Sequence, residues 1–305
     1  MNRLIHSFDA HRRAMQLSRT PIFVFVEGDN DVPVYAKISK IACLGKPIFC
    51  EVVKAKQLNS QGGGKEILLK YHEYLKTCNS LIDNFHGKKT LSFIYLDKDI
   101  DDLMKIMERS GHIAYTQMYN IENYLFLYGN LSKSISQLSQ YLKQDSFSNA
   151  AAWSKRYSTQ WIDWVKICVF SELNCTANLR NYACNTSCIN KNICGPIDTV
   201  KYKNIMKKMQ KDSKLKKRFS LVYDRVSKMI DNIYKNNQQN KVFKGNWYYH
   251  FVLTEISACA KNRKYLNVLS YERLIEKLID NLDYSQAWTN DLVLPLTGLV
   301  SKYFN

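Results

Sequence analysis

Two runs of the chain are apolar at all or nearly all positions and then end in carboxylates. Ile22-Phe23-Val24-Phe25-Val26 leads into Glu27-Gly28-Asp29-Asn30-Asp31, and Leu91-Ser92-Phe93-Ile94-Tyr95-Leu96 leads into Asp97-Lys98-Asp99. Short β-rich runs without alternation predict central strands covered on both faces, the pattern of a parallel sheet. Between them, Val32, Tyr35, Ile38 and Ile41–Ala42 fall at helical spacing, and a strand is predicted over Pro47–Val53. A second helix carries Ile67, Leu68, Tyr71, Leu75, Cys78 and Ile82 on one face, closed by His86-Gly87. A fourth strand is predicted over His112–Tyr119, ending in Asn120-Ile121-Glu122-Asn123-Tyr124. Four strands alternating with helices over residues 21–125, behind a basic leading helix in 1–20, describe an α/β unit with a four-stranded parallel sheet.

The pattern changes afterwards. Residues 131–145, 147–173, 200–235, 241–262 and 271–281 read as amphipathic helices, and Asn174–Pro196 reads as an Asn- and Cys-rich loop. The expected division is an α/β domain over 1–128 and a mainly helical domain over 129–305.

In open α/β sheets the site lies beyond the carboxyl ends of the strands. Acids at the ends of two central strands can therefore converge although Glu27 and Asp97 are 70 positions apart. Carboxylates brought together repel unless a divalent cation is shared among them. Glu27 can act as general acid or base or bind metal directly. It also reads as a turn acid. Asp97 and Asp99, two apart, point the same way from an extended segment and offer hard oxygen ligands suited to Mg²⁺ or Mn²⁺. Asp31 reads either as a third ligand or as a helix cap, because Asp29, Asn30 and Asp31 are all natural caps. Asp101 and Asp102 read equally as helix-start acids. Glu122, flanked by Asn120 and Asn123, is a further candidate catalytic acid.

Two lysines are candidate phosphate contacts. Lys98 stands between the paired aspartates, and Lys65 follows Gly62-Gly63-Gly64 at a predicted helix start, where backbone N–H groups can cradle phosphate. The loop departs from a Walker A motif, since Asn59 replaces the first glycine and Glu66 the Ser/Thr. It reads equally as a flexible turn. The six histidines fall in no recognisable motif.

Charge sharpens the picture. Lys and Arg total 44 against 27 Asp and Glu, a net charge of +17 over 305 residues. A basic surface around a small acidic pocket suits a polyanion cut with the help of metal ions. Nine basic residues against the single acid Asp212 lie between Lys201 and Arg218, readable as a solvated helix face or as a phosphate-tracking surface. No apolar run reaches the roughly 18 residues of a membrane span and no signal-peptide h-region opens the chain, so cytoplasm is the default. Nine cysteines in such a chain argue for thiols over a disulfide framework. The group Cys168, Cys175, Cys184, Cys188 and Cys194 lacks the repeated C-x2-C of a zinc ribbon.

The stretch Phe25-Val26-Glu27-Gly28-Asp29-Asn30-Asp31 followed by Leu96-Asp97-Lys98-Asp99 resembles a Toprim domain, the fold shared by topoisomerases, primases and OLD-type nucleases. With Gly62-Gly63-Gly64-Lys65 and Asn120-Ile121-Glu122-Asn123-Tyr124, the chain is similar to Toprim effectors of bacterial anti-phage defence of the PARIS type. That resemblance implies Glu27 as acid/base, Asp97 and Asp99 on Mg²⁺, and Asp31 as the second acid of the nuclease branch. It further implies a toxic nuclease acting on tRNA, active as a homodimer and held by an ABC-type ATPase partner until triggered. Hydrolysis by water and attack by the ribose 2′-OH both remain open. So do two rivals, a DNA-cutting Toprim enzyme and a non-catalytic subunit whose acids only dock a partner.

Overall fold

The computed structural model describes residues 7–58, 64–138, 147–174, 197–212, 218–259 and 270–304. The chain divides into two compact units, Met1–Lys98 with Ile106–Gln117 and Asp283–Asn305, and Asp99–Lys105 with Met118–Leu282. This division does not follow the linear boundary at residue 128, because residues 283–305 belong with the N-terminal sheet.

The first unit, with elements numbered along the whole chain, contains α1 (Phe8–Leu17), β1 (Ile22–Val26), α2 (Asp31–Ala42), β2 (Cys50–Lys54), α3 (Ala55–Leu58), α4 (Lys65–Thr77), β3 (Ile82–Phe85), β4 (Lys88–Leu96), β5 (Ile113–Tyr115) and α14 (Asn290–Tyr303). The sheet is mixed and five-stranded, not the parallel four-stranded sheet expected. Its order is β2-β1-β4-β3, with β5 also on β4. β1 runs parallel to β2 and to β4, and β5 parallel to β4, whereas β3 pairs antiparallel with the first residues of β4. Nine-residue β4 therefore carries β3 and then β5 along one edge.

The unexpected strand has a local cause. His86 and Gly87, at φ 51° and 77°, form a two-residue turn between the paired Phe85 and Lys88. Two central residues at positive φ twist the backbone as a right-handed hairpin requires. Ile82, expected on a helical face, instead opens β3, since α4 stops at Thr77 and Asn79 turns the chain at φ 52°.

Both faces of the sheet are covered, which is why β1 is buried throughout. Phe23, Phe25, Val53, Ile94 and Leu96 pack on one side with Met15 of α1 and Leu68, Tyr71 and Leu75 of α4. On the other, Tyr95 stacks on Tyr35 of α2 at 4.3 Å between ring centres and donates its hydroxyl to Leu292 O of α14 at 2.7 Å. Thr297 of α14 reaches Ala42 O at the end of α2.

The second unit is helical, as expected: α5 (Asp101–Met104), α6 (Ile121–Tyr128), α7 (Leu131–Leu138), α8 (Ala150–Gln160), α9 (Ile162–Asn174), α10 (Thr199–Asp212), α11 (Phe219–Lys235), α12 (Tyr248–Cys259) and α13 (Tyr271–Asp280). Its centre is aromatic, with Trp153, Trp161, Phe243, Trp247, Tyr248 and Phe251 all buried. The helix expected over 147–173 is two, interrupted at Trp161, whose ring is fully buried against Phe243, Trp247 and Phe251. No helix among the described residues is long and apolar enough to cross a membrane.

Candidate functional site

The carboxyl ends of β1 and β4 lie side by side in the parallel sheet, through pairs such as Phe25↔Ile94. Beyond those ends Glu27 Oε1 accepts the backbone N–H of Asp97 at 2.8 Å, joining the two acidic motifs. Asp31, the first residue of α2 and only 7% exposed, turns its Oδ2 back to accept the N–H of Gly28 at 2.7 Å. It is thus neither a conventional N-cap nor a solvent-facing acid. Asn30 holds the cap position without a side-chain bond. Asp29 on the same turn is exposed and ion-paired to Lys54 at the end of β2.

The glycine-rich loop converges on the same place. Gly64 caps α4 at φ 73°, ψ −161°, a conformation essentially reserved for glycine, and a Cβ there would stand 3.7 Å from Glu27 Oε2. The start of α4 thus adjoins the Glu27 carboxylate, and the partial positive charge of a helix N-terminus favours anions there. Lys65 is half-buried in the first turn of α4. Gly62 and Gly63 lie outside the described residues.

Lys98 is placed differently from its acidic neighbours. It is buried, its N–H donates to Thr116 Oγ1 and its ammonium to Gln117 O, both at 2.9 Å. The charged group is thereby tied to the backbone that follows β5.

Asp99 and Glu122 belong to the second unit. Asp99 adopts φ 52° and donates its N–H to Tyr119 O at 2.7 Å, which sets it beside the start of α6. Glu122 lies in the first turn of that helix. Burial pushes its carboxyl above the ordinary value and the Asp99 charge adds to the rise, opposed by its own backbone N–H, the Tyr271 hydroxyl at 3.2 Å and the Lys244 charge. The flanking asparagines are structural. Asn123 Oδ1 accepts the N–H of Asn120 at 3.1 Å, while Asn120 Oδ1 accepts the N–H of Gly245 at 3.0 Å. Tyr271 and Lys244 were not legible as partners of Glu122, because no spacing links positions so far apart.

Oxygen is the right donor for Mg²⁺, which keeps several waters and is commonly held by one or two carboxylates plus substrate phosphate. Among the described residues no three His, Cys, Asp or Glu side chains form a group able to hold a metal. Glu27 and Asp31 both lie on the turn that follows β1, each with one oxygen held by a backbone N–H, that of Asp97 and that of Gly28. Of the cysteine group, Cys168 is buried on α9, and Cys175, Cys184, Cys188 and Cys194 lie outside the described residues.

In the second unit Lys203, Lys207 and Lys211 form an exposed stripe at i, i+4, i+8 along α10, with Lys208 beside it. Lys214, Lys216 and Lys217 of the basic run lie outside the described residues. No family model matches the chain, and no curated protein matches it.

Proposed function

We propose that the chain is a metal-dependent endonuclease acting on RNA, with tRNA as its substrate. The observation that carries the reading is the bond from Asp97 N–H to Glu27 Oε1, which brings two acidic strand ends together beside a glycine-capped helix start. The net charge of +17 and the exposed lysines of α10 support a polyanionic substrate.

Asp31 and Asp97 would hold Mg²⁺ or Mn²⁺, and the ion would supply charge neutralisation at the scissile phosphate. Glu27 would move the proton, taking it from the attacking oxygen or giving it to the leaving one. Its bond to a backbone N–H fixes the carboxylate's orientation before substrate arrives. The start of α4, with Lys65, would receive a phosphate oxygen. The resemblance to Toprim defence effectors adds an active homodimer and an ABC-type ATPase partner to the proposal. Lys98 is left out of substrate binding, since its ammonium serves the backbone after β5.

The test is incubation of the purified chain with total tRNA or plasmid DNA, with Mg²⁺ or with EDTA, beside Glu27→Gln. Discrete Mg²⁺-dependent tRNA fragments absent in the variant support the reading. Cutting of plasmid alone moves the substrate to DNA. Intact tRNA and plasmid, both in vitro and in cells supplying the ATPase partner, overturn it.

A further inference from the structure

Cys43 and Cys50 belong to none of the groups used above. Cys43 is the C-cap of α2 and Cys50 opens β2, with Leu44–Phe49 looping between them through Gly45 at φ 88°. Both are free thiols, and their sulfurs lie 3.3 Å apart. A disulfide bond is about 2.0 Å long, so a small movement of two side chains closes the gap.

The pair is reachable by small molecules. Cys43 and Cys50 line an open cavity of about 550 Å³ together with Lys40, Lys46 and Phe49. Cys43 itself is buried and Cys50 half-buried, which excludes bulky reagents but not one that enters this cavity.

The two thiols also differ chemically. The hydrogen bond from Cys50 holds the Cys43 thiol below its ordinary value against the effect of burial, and the Lys46 charge helps. The same bond and burial push the Cys50 thiol up. Two thiols in contact, with a lysine charge beside Cys43 that favours a thiolate, are the arrangement that thiol–disulfide exchange uses.

We propose that Cys43 and Cys50 form a redox-active dithiol that closes to an intramolecular disulfide by exchange with a small soluble disulfide, RSSR. The Cys43 thiolate attacks one sulfur of RSSR, breaking its S–S bond and releasing RS⁻. Cys50 then loses its proton and attacks the Cys43 sulfur, expelling the second RS⁻. The two protons given up by the cysteines convert both leaving groups to RSH. The protein loses two electrons and RSSR gains them. The new bond ties the end of α2 to the start of β2, and the opposite ends of these elements carry Asp31 and Lys54.

The test uses the full chain, reduced, then incubated with glutathione disulfide, alkylated and digested with trypsin. Lys46 precedes Pro47 and resists cleavage, so peptide 41–54 carries both cysteines and no other. The expected product is that peptide two hydrogens lighter than its reduced form, without alkyl groups, and restored by dithiothreitol. Cys50→Ser should instead trap glutathione on Cys43. Recovery of the wild-type peptide doubly alkylated, or with glutathione stably attached, overturns the proposal. So does Cys50→Ser carrying no glutathione while remaining folded by circular dichroism.

Discussion

The carboxylate of Glu27 accepts the main-chain N–H of Asp97, a residue 70 positions away, at 2.8 Å. That contact separates two roles of Glu27. One oxygen is a structural acceptor, and the negative charge is what the proposed mechanism would use. Glu27→Gln keeps an acceptor for Asp97 and removes the charge, so RNA cleavage should fall by roughly 10²–10⁴-fold, the range for losing a positioned acid or base. Its urea midpoint should stay near that of the wild type. Glu27→Ala should lose cleavage equally and also cost about 1 kcal/mol in urea unfolding, because the N–H loses its partner. Cleavage retained in both variants would remove Glu27 from the chemistry.

Glu122 makes stability depend on pH in a particular direction. Its carboxyl titrates above the ordinary value of 4.5, so between that value and its own the folded state holds a proton the unfolded chain has released. Its stabilising effect is complete below 4.5 and is lost as pH rises through the folded-state value. Glu122→Gln, which keeps an acceptor for Tyr271, should unfold at higher urea than the wild type at neutral pH, with the difference vanishing in acid. Equal midpoints across the whole pH range would show that the carboxyl is not shifted.

Gly245 is a packing requirement. A Cβ there would meet Asn123 N at 2.4 Å and Asn120 Oδ1 at 2.7 Å, and the backbone atom cannot swing aside. Gly245→Ala should destabilise by about 3 kcal/mol, the upper end for overpacking. Gly298 in α14 has nothing within 4 Å of its Cβ position, so Gly298→Ala should be neutral or gain up to about 1 kcal/mol from helix propensity. Thermal melts of the two variants should move in opposite directions or differ clearly in size.

The α10 stripe can be weighed by salt. Replacing Lys203, Lys207 and Lys211 with Gln should flatten the slope of log K against log salt for single-stranded RNA by about 2, from roughly 0.7 per phosphate contact. Filter binding at several ionic strengths measures this. An unchanged slope would mark the stripe as a solvated face.

The central strands were legible because a fully covered strand leaves a continuous apolar run, as Ile22–Val26 and Leu91–Leu96 do. The convergence of Glu27 with Asp97 followed from the two runs being parallel neighbours. Other features leave no such trace. Ile82 continues the helical spacing of Leu75 and Cys78, so only the positive-φ turn at His86-Gly87 betrays β3. Asn120 and Asn123, whose places beside an acid suggest held loop geometry, do hold the start of α6, but their reach to the N–H of Gly245 has no trace in the spacing. Lys98 sits between two aspartates and looks poised for phosphate, but the chain beyond β5 supplies Gln117 O for its ammonium. Cys43 and Cys50 match no motif, and only the folding of α2 back onto β2 brings their sulfurs together.

The place of α14 in the first unit governs how the protein can be dissected. A fragment cut at residue 128 would leave Leu292, Leu296 and Val300 behind, all buried in the intact chain. It would strand the Tyr95 hydroxyl without Leu292 O and bare the α2 side of the sheet to water. Such a fragment is expected to aggregate even with Glu27 and Asp97 intact. An autonomous first unit would need residues 283–305 supplied, joined by a linker or added as a separate peptide.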